Sequence, residues 1–340
     1  MNPEHPMPPR AAIMSLLGGQ HIARCLSIVA DLGIADLLVD GPKDVESLAN
    51  SAGADPDALY RVLRLLSRVG VFAERPGRVF EQTPNSAVLS ESAPDSVKQY
   101  ARYAGTHLHW NIVTHADYSV RTANPASTKD RPGAKPYDIL SEDPAVLAIF
   151  NAAMTELSSA DGPAIASAYD FTPYKRIVDV GGGQGELAVL VAQSAPDSEV
   201  TVFELPHVAE DARRRLHEQY PHLNVKVAEG NALEGVPGKY DLCIMKHVAH
   251  GFDEAGTLAL LKSCRSALDE NGRLLLCEVV VTPGPESTGA CVLDIEMLVF
   301  TGGRERSQEE FAELLHRAGF RLERIIETGS WVQVVEAAVA

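Results

Sequence analysis

From Tyr174 onward, short apolar runs alternate with segments that have helical periodicity. Each apolar run has the length of a strand, and most of the intervening segments have the spacing of an amphipathic helix. This alternation is typical of an α/β protein in which helices cover a doubly wound parallel sheet. We expect strands over residues 176–180, 199–203, 223–228, 240–246, 272–280 and 331–338, with 320–326 and 330–338 forming an antiparallel pair.

The first hundred residues have a different pattern. Residues 44–51 and 58–69 have the apolar spacing of two helices, and the turn between them carries helix-capping residues. Residues 70–80 predict a β-hairpin that turns at Pro76-Gly77. Two helices followed by a hairpin predict a winged helix.

An amphipathic stretch over residues 13–38 precedes this winged helix. Residues 100–165 are predicted to be helical and connecting, with a Pro/Gly/Ser-rich break at 124–136. The apolar positions of the first stretch are suited to burial against a partner. They are Leu16, Leu17, Ile22, Leu26, Val29 and Leu32.

The strand predicted at 176–180 runs into a glycine-rich turn and then into helix-forming residues. This arrangement lets the backbone approach a ligand and directs free N–H groups at an anionic group. The spacing is ambiguous, because the frame from Gly183 satisfies the dinucleotide-binding pattern and the frame from Gly181 does not. The turn therefore indicates a nucleotide-like cofactor, with a simple strand-to-helix connection as the alternative.

Two acidic residues narrow the choice of cofactor. Asp179 precedes the glycines, and Glu204 follows the next predicted strand, about 20 residues on, where it can accept both hydroxyls of a ribose. An acid before the glycines suits an ammonium group and would repel the pyrophosphate of a nicotinamide dinucleotide. We therefore predict S-adenosylmethionine, which has an ammonium group, a carboxylate and a ribose diol.

Other polar residues follow the remaining strands. Ligands in such sheets bind beyond the carboxyl ends of the strands. Asn231 follows the third predicted strand, residues 246–250 the fourth and Glu278 the fifth. One edge of the sheet is therefore expected to gather the glycine turn, two acids and a histidine.

Composition limits the partners. The formal net charge is −16, and residues 1–100 hold fewer Lys and Arg than Asp and Glu, so we expect no nucleic-acid partner. No apolar run is expected to reach the roughly 18 residues of a membrane span, and no signal peptide is expected. The cysteines show no C-x-x-C spacing, which favours reduced thiols and a cytoplasmic protein. His107 and His109 are spaced wrongly for one helix face, so no metal site is expected.

Five sequence runs resemble, in order and spacing, the class I S-adenosylmethionine-dependent O-methyltransferases of the caffeic-acid O-methyltransferase-like family, and within it the bacterial natural-product branch. The resemblance covers nearly the whole chain. It implies a winged-helix dimerisation domain (1–100), a helical linker that contributes to the acceptor pocket (101–165), a Rossmann-like catalytic domain (166–340) and a homodimer. The runs are Val178–Gly185, Phe203–Val208, Met245–His250, Asn271–Glu278 and Gly302–Phe311.

The resemblance also implies roles for individual residues. His250 matches the general base that takes the proton of the acceptor hydroxyl, and Glu278 and Glu305 match the residues that flank it. The implied cofactor-binding residues are Asp179, Gly181, Gly183, Gly185, Glu204, Leu205, Asn231, Ala232, Lys246 and His247. The implied acceptor-binding residues are Trp110, Asn151, Met154, Met297 and Phe300.

Two departures from the family pattern bear on these roles. This chain has Asn231 where the family usually has Asp, and Gly251 after the histidine where the family has Asp.

Two other functions stay open. One keeps the fold and the cofactor but carries out hydroxylation, decarboxylation or cyclisation, for which Gly251 leaves room. The other is a winged-helix regulator that senses a small ligand. Glu278 could equally be an ordinary strand-end acid, and Glu305 a residue at the entry of a helix capped by Ser307.

Overall fold

A computed structural model describes residues 8–340 of the chain. Its helices are α1 (Pro9–Leu17), α2 (Gly19–Asp31), α3 (Ile34–Leu37), α4 (Val45–Ala52), α5 (Pro56–Arg68), α6 (Pro84–Ala87), α7 (Lys98–Ala104), α8 (His107–Thr114), α9 (Ala116–Thr122), α10 (Pro136–Ser141), α11 (Pro144–Ala168), α12 (Glu186–Ser194), α13 (Pro206–Gln219), α14 (Glu254–Ala267), α15 (Thr288–Phe300) and α16 (Gln308–Arg317). Its strands are β1 (Lys43–Asp44), β2 (Phe72–Arg75), β3 (Val79–Gln82), β4 (Arg176–Val180), β5 (Glu199–Glu204), β6 (Val225–Glu229), β7 (Tyr240–Lys246), β8 (Leu268–Glu278), β9 (Val280–Val281), β10 (Arg306–Ser307), β11 (Phe320–Glu327) and β12 (Gln333–Val339). Short 3₁₀ turns cover Ala126–Thr128, Ala249–Gly251 and Pro285–Ser287.

The chain divides into two units. The first comprises the chain up to Asn111 together with Leu140–Leu157, and the second comprises Ile112–Ile139 together with Ser158–Ala340. The predicted linker, residues 101–165, thus contributes residues to both units.

The first unit contains the predicted winged helix. The side chain of Asp44 caps α4 and that of Asp55 caps α5, because each accepts a hydrogen bond from a backbone N–H in the first turn of its helix. Strands β2 and β3 pair from Arg75 opposite Val79, so the hairpin turns at Pro76-Gly77 as predicted. Strand β1 adds to β3 and completes a three-stranded sheet.

The predicted amphipathic stretch at 13–38 is three helices rather than one continuous element. The chain breaks at Gly18 and again at Gly33, which has a φ of +63°. Val29 faces the core of its own unit and is 1% exposed, so its predicted availability to a partner is wrong. Leu16 and Leu17 are 74% and 62% exposed and remain available.

One segment in this region bears on the expected absence of a membrane span. By length and composition alone, Pro9–Asp31 is long and apolar enough to cross a membrane, with 11% of its most apolar window buried. Mostly buried core helices of soluble proteins, and signal sequences, pass the same test. One such segment by itself does not show a membrane span.

The second unit is built on a seven-stranded sheet of order β11-β12-β8-β7-β4-β5-β6. The strands from β8 to β6 are parallel, whereas β12 is antiparallel to both β8 and β11. The six predicted strands and the antiparallel pair are confirmed to within a few residues. The strand predicted at 272–280 differs most, since it begins at Leu268 and ends at Glu278, while β9 pairs separately with β10.

Both faces of this sheet are buried, as a doubly wound fold requires. Successive residues of β7 alternate between two cores: Leu242 and Ile244 pack with α12, whereas Cys243 and Met245 pack with α14 and α16. Strand β4 lies between β5 and β7, so the strand order reverses beside it. Ligands bind beyond the carboxyl ends of the strands at this reversal.

Candidate active site

The glycine turn after β4 lies against the loop that follows β7. Gly181 has a φ of +72°, and a Cβ at this position would lie 2.6 Å from Cγ2 of Val248. Gly185 has a φ of +84° and is the N-cap of α12. The turn therefore brings a helix N-terminus, with its unpaired N–H groups, to the edge where the two loops meet.

Asp179 is buried at this edge, with 2% of the residue exposed. Its Oδ2 atom has no hydrogen-bond partner among residues 8–340. Burial raises the pKa of its carboxyl group to about 7; Lys246 opposes this rise, and the charges of Glu204 and Glu186 add to it. An unpaired, buried carboxyl group of this kind is suited to receiving a cationic group of a ligand.

Glu204, at the end of β5, faces the same turn. Its Oε2 accepts a hydrogen bond from the backbone N–H of Gly183 at 3.1 Å, and its Oε1 accepts one from Leu205 N at 2.8 Å. A carboxylate held in this way can accept ribose hydroxyls. The carboxyl group of Asp179, the N-terminus of α12 and the carboxylate of Glu204 together fit the ammonium group, the carboxylate and the ribose of S-adenosylmethionine.

Lys246 and His247 are held by one face of α11. Lys246 Nζ donates to Ser158 Oγ at 2.8 Å, and His247 Nε2 lies 3.4 Å from Oδ2 of Asp161, which is 2% exposed. His247 has a φ of +53°, which is rare outside glycine and is found at constrained functional loops. Burial lowers its pKa, although Asp161 and Glu278 oppose this.

His250 lies in the 3₁₀ turn after β7 and contacts two buried carboxylates. Its Nδ1 lies 2.6 Å from Oε1 of Glu305 and 3.7 Å from Oε2 of Glu278. Glu278 is 0% exposed and Glu305 is 3% exposed. Burial alone would disfavour the imidazolium, but Glu278 and the hydrogen bond to Glu305 outweigh it and raise the pKa of His250.

His247, His250 and Glu278 also have the proximity of metal ligands, since one ligand atom of each lies within 4.8 Å of the others. Nδ1 of His250, however, is already engaged by Glu305 at 2.6 Å. A metal ion would have to displace this hydrogen bond. The absence of a metal stays a prediction.

Asn231 and Ala232, two of the predicted cofactor-binding residues, follow β6. Asn231 Nδ2 donates to Oε1 of Glu234 at 2.8 Å, and its Oδ1 accepts from Leu233 N at 3.0 Å. The amide therefore orders its own loop. Ala232 is half-buried against the core below.

The predicted acceptor residues belong to both units. Trp110 lies on α8, and Asn151 and Met154 lie on the part of α11 that belongs to the first unit. Met297 and Phe300 lie on α15 in the second unit, where Phe300 is buried and packs edge-on against Tyr137 with ring centroids 5.6 Å apart.

The sequence did not predict several residues that form hydrogen bonds with the predicted site residues. Asp161 and Ser158 lie on a helix whose periodicity gives no sign of their partners. Asp294 accepts a hydrogen bond from Glu305 N at 2.8 Å and so fixes the backbone of the residue that orients His250. Arg306 lies inside the run Gly302–Phe311, but nothing in the sequence pattern indicates that its side chain is buried.

Two models of known protein families match this chain. Residues 118–321 match the family model of the O-methyltransferase domain, and residues 14–92 match that of the O-methyltransferase dimerisation domain. The second match covers the winged helix and the end of α1.

Known relatives are similar over nearly the full length. The chain is 34% identical over 333 residues to the phenazine O-methyltransferase PhzM of Lysobacter antibioticus, covering 97% of this chain and 96% of that protein. It is 34% identical over 326 residues to the mitomycin biosynthesis 6-O-methyltransferase of Streptomyces lavendulae, covering 95% and 93%. The solved structure of CalO1, a methyltransferase in calicheamicin biosynthesis with S-adenosylhomocysteine bound, matches with a TM-score of 0.87 at 28% identity and covers 98% of this chain and 100% of that chain.

The domain matches, the similarity over the whole length and a glycine turn suited to the cofactor agree with one another. The chain therefore belongs to the S-adenosylmethionine-dependent O-methyltransferases and carries both the O-methyltransferase domain and its dimerisation domain.

Proposed function

We propose that the protein transfers a methyl group to a phenolic or enolic hydroxyl of a small aromatic secondary metabolite, with His250 as the general base. The contact that carries this proposal is the 2.6 Å hydrogen bond between His250 and Glu305. Because an ionised carboxylate only accepts, Nδ1 of His250 donates the proton in this bond. The lone pair of Nε2 is then available to a hydroxyl group.

S-adenosylmethionine supplies an electrophilic methyl group when bound. Nε2 of His250 takes the proton from the acceptor hydroxyl, and the resulting oxyanion is the nucleophile for the methyl group. Glu305 accepts the hydrogen bond from Nδ1 and stabilises the imidazolium that forms, as a carboxylate does in other histidine–carboxylate pairs. Glu278 adds a second negative charge 3.7 Å from Nδ1 of the ring.

The acceptor class is proposed from the relatives. The phenazine and mitomycin O-methyltransferases are named for small natural products. Met297 and Phe300 are proposed to line the acceptor site in the second unit, with a thioether and aromatic surface suited to a planar ring. Trp110, Asn151 and Met154 in the first unit stay predicted acceptor residues.

The cofactor contacts are part of the same proposal. Asp179 would pair with the ammonium group, Glu204 with the ribose hydroxyls, and Lys246 with the carboxylate end. The remaining proposed contacts are Gly181, Gly183, Gly185, Leu205, Asn231, Ala232 and His247. The unpaired Oδ2 of Asp179 supports this assignment most directly.

We also propose that the protein acts in the cytoplasm as a homodimer without a nucleic-acid or membrane partner. The dimerisation-domain match at 14–92 supports the homodimer, as do the exposed apolar residues of α1. The net charge of −16 supports the absence of a nucleic-acid partner.

His250→Ala tests the base. The variant is expected to bind S-adenosylhomocysteine normally, while methyl transfer to phenolic acceptors of one to three rings falls by about 10² to 10⁴, the usual contribution of a general base. Product mass gives the readout, because each transfer adds 14 mass units. His316→Ala, at an exposed position on α16, is the matched control and should behave like the wild type.

Two results would reject the assignment. Unchanged turnover in His250→Ala would show that His250 is not the general base. Wild-type products that lack the 14-unit mass gain would favour hydroxylation, decarboxylation or cyclisation instead. Salt-sensitive binding to DNA without turnover would point to the regulator.

A further inference from the structure

Arg306 is a buried arginine in the second unit, with 3% of the residue exposed. It lies on β10, opposite Val280 of β9, just beyond the strand that ends in Glu278. Burying a guanidinium is costly unless its donors and its charge are both matched. The partners of Arg306 therefore indicate what it is for.

Its donors converge on the residue that precedes the base. Nη1 donates to the carbonyl oxygens of Arg304 at 3.2 Å and Ala249 at 3.4 Å, and Nη2 donates to Oγ1 of Thr257 at 3.0 Å. The Thr257 hydroxyl lies 3.0 Å from the same Ala249 carbonyl. Ala249 N, on the other side, donates to Oε1 of Glu278 at 2.9 Å. The backbone at Ala249 is thus held at both its N–H and its carbonyl.

The segment that carries Arg306 also contacts the backbone of His250. Arg304 N donates to the His250 carbonyl at 2.9 Å. Gly303 lies so close that a Cβ there would overlap the same carbonyl oxygen. Residues 303–306 therefore contact the backbone of the turn that carries the base, at the carbonyl groups of Ala249 and His250.

Charge gives Arg306 a second role. Glu278 and Glu305 are buried carboxylates beside His250, and the guanidinium of Arg306 reaches within 3.4 Å of the carbonyl oxygen of Ala249, the residue before His250. With His250 neutral, the two carboxylates and the guanidinium carry one formal negative charge in excess. The positive charge of Arg306 therefore opposes the attraction of both carboxylates for a proton on His250. The charged and titratable groups around His250 and Arg306 are Glu278, Glu305, His247, Arg304 and Glu310.

We propose that Arg306 is a positioning residue for the base: its guanidinium anchors the turn that carries His250, and its positive charge opposes the attraction of Glu278 and Glu305 for a proton on that histidine. This inference rests on the proposed function, in which His250 is the base. It adds a residue that acts through His250.

The test uses the full chain with S-adenosylhomocysteine bound and ¹⁵N-labelled histidine, with the His250 signal assigned by comparison with His250→Ala. In Arg306→Met the pKa of His250 is expected to rise by about one unit or more, because a nearby positive charge is lost. Arg317→Met is the matched control, since Arg317 is an exposed arginine paired with Glu254 on the surface. It should leave the titration of His250 unchanged.

Arg306→Lys separates anchoring from charge. The lysine keeps the positive charge, but its single ammonium group does not reproduce the planar fork that reaches Ala249 and Thr257 together. The pKa of His250 should therefore stay close to the wild-type value, while deuterium uptake of residues 247–252 becomes faster. Arg317→Lys supplies the control for exchange.

Either of two results overturns the proposal: a folded Arg306→Met with an unchanged His250 pKa, or an Arg306→Lys with unchanged deuterium uptake. Should Arg306→Met not fold, the deuterium uptake of Arg306→Lys decides. Both readouts are independent of turnover, so loss of activity in His250→Ala and failure of the Arg306 proposal are separate outcomes.

Discussion

The carboxyl group of Asp179 is buried, its Oδ2 has no hydrogen-bond partner among residues 8–340, and the folded protein holds its pKa at about 7. In an unfolded chain an aspartate titrates near 3.9. The folded state therefore binds the proton more tightly, so the stability of the ligand-free protein falls as the pH rises from about 4 to 7 and stays lower above that. A ligand ammonium group paired with the carboxylate would offset this loss of stability.

Asp179→Asn should separate stability from binding. At pH 7.5 the ligand-free variant is expected to melt at a higher temperature than the wild type, because no buried charge remains. Its affinity for S-adenosylhomocysteine should fall by about 10- to 100-fold, the scale of a lost charge-assisted contact. In the wild type, affinity should rise from pH 6 to 7.5 as the carboxylate ionises, and the variant should lose this dependence.

Thermal unfolding and calorimetric titration at both pH values check this prediction. Asp197→Asn, at an exposed position after α12, is the matched control and should change neither quantity. If Asp179→Asn bound S-adenosylhomocysteine as tightly as the wild type does, Asp179 would not be a cofactor-binding residue.

Single residues differ in how far the sequence predicted them. Asp179 and Glu204 could be predicted because each is next to the end of a strand, and strand ends meet at one edge of a parallel sheet. Asp161 could not, since helical periodicity shows which face a residue occupies and not which side chain meets it. The left-handed backbone of His247 is likewise set by the loop around it.

At the level of elements, two loops from neighbouring strands fit closely together. The glycine turn after β4 leaves no room for a side chain where it meets Val248 after β7. The cofactor turn and the turn that carries His250 therefore fix each other's position. A change at their contact should affect both.

Gly181→Ala is expected to weaken binding of S-adenosylhomocysteine strongly and to lower thermal stability. Its new Cβ meets Val248 at 2.6 Å, and its φ of +72° is unfavourable for alanine. Gly183→Ala is the matched control, since a Cβ there has nothing within 4 Å and only its φ of +56° is unfavourable. It should cost about 1 kcal/mol in stability.

Calorimetric titration and thermal melting of both variants give the comparison. Equal effects would mean that backbone conformation alone matters and that the contact with Val248 is unimportant. The structural expectation is a clearly larger loss in Gly181→Ala.

Whole elements were the most predictable part of the molecule. The strands of the second unit follow from apolar runs bounded by turn residues, and the winged helix from caps and spacing at Asp44 and Asp55. The stretch 13–38 was less predictable, because its amphipathic pattern continues across Gly18 and Gly33 although the helix does not. Glycine allows a break without requiring one.

At the scale of the whole molecule, α1 presents an apolar surface that residues 8–340 do not cover. Ile13, Met14, Leu16 and Leu17 are between 57% and 74% exposed. An uncovered group of this size is typical of an interface. The match of residues 14–92 to a dimerisation domain agrees with a second copy as the partner.

The double variant Leu16→Glu with Leu17→Glu should convert the dimer to a monomer, because four charges would be buried across a two-fold interface. Light scattering after size exclusion should show half the wild-type mass. Val120→Glu, at a position that is 76% exposed and outside the matched dimerisation range, is the control and should remain dimeric. A folded double variant with the wild-type mass would show that α1 is not the interface.

The place of β12 in the sheet has a consequence for how the protein is made. This strand lies between β8 and β11, and its Gln333 is paired with Glu278 beside His250. Every other strand of the sheet leaves the ribosome before β12 does. Glu278 thus gains its neighbouring strand only after the rest of the sheet has been synthesised, and a premature stop just before residue 333 would remove an internal strand and destabilise the surroundings of His250.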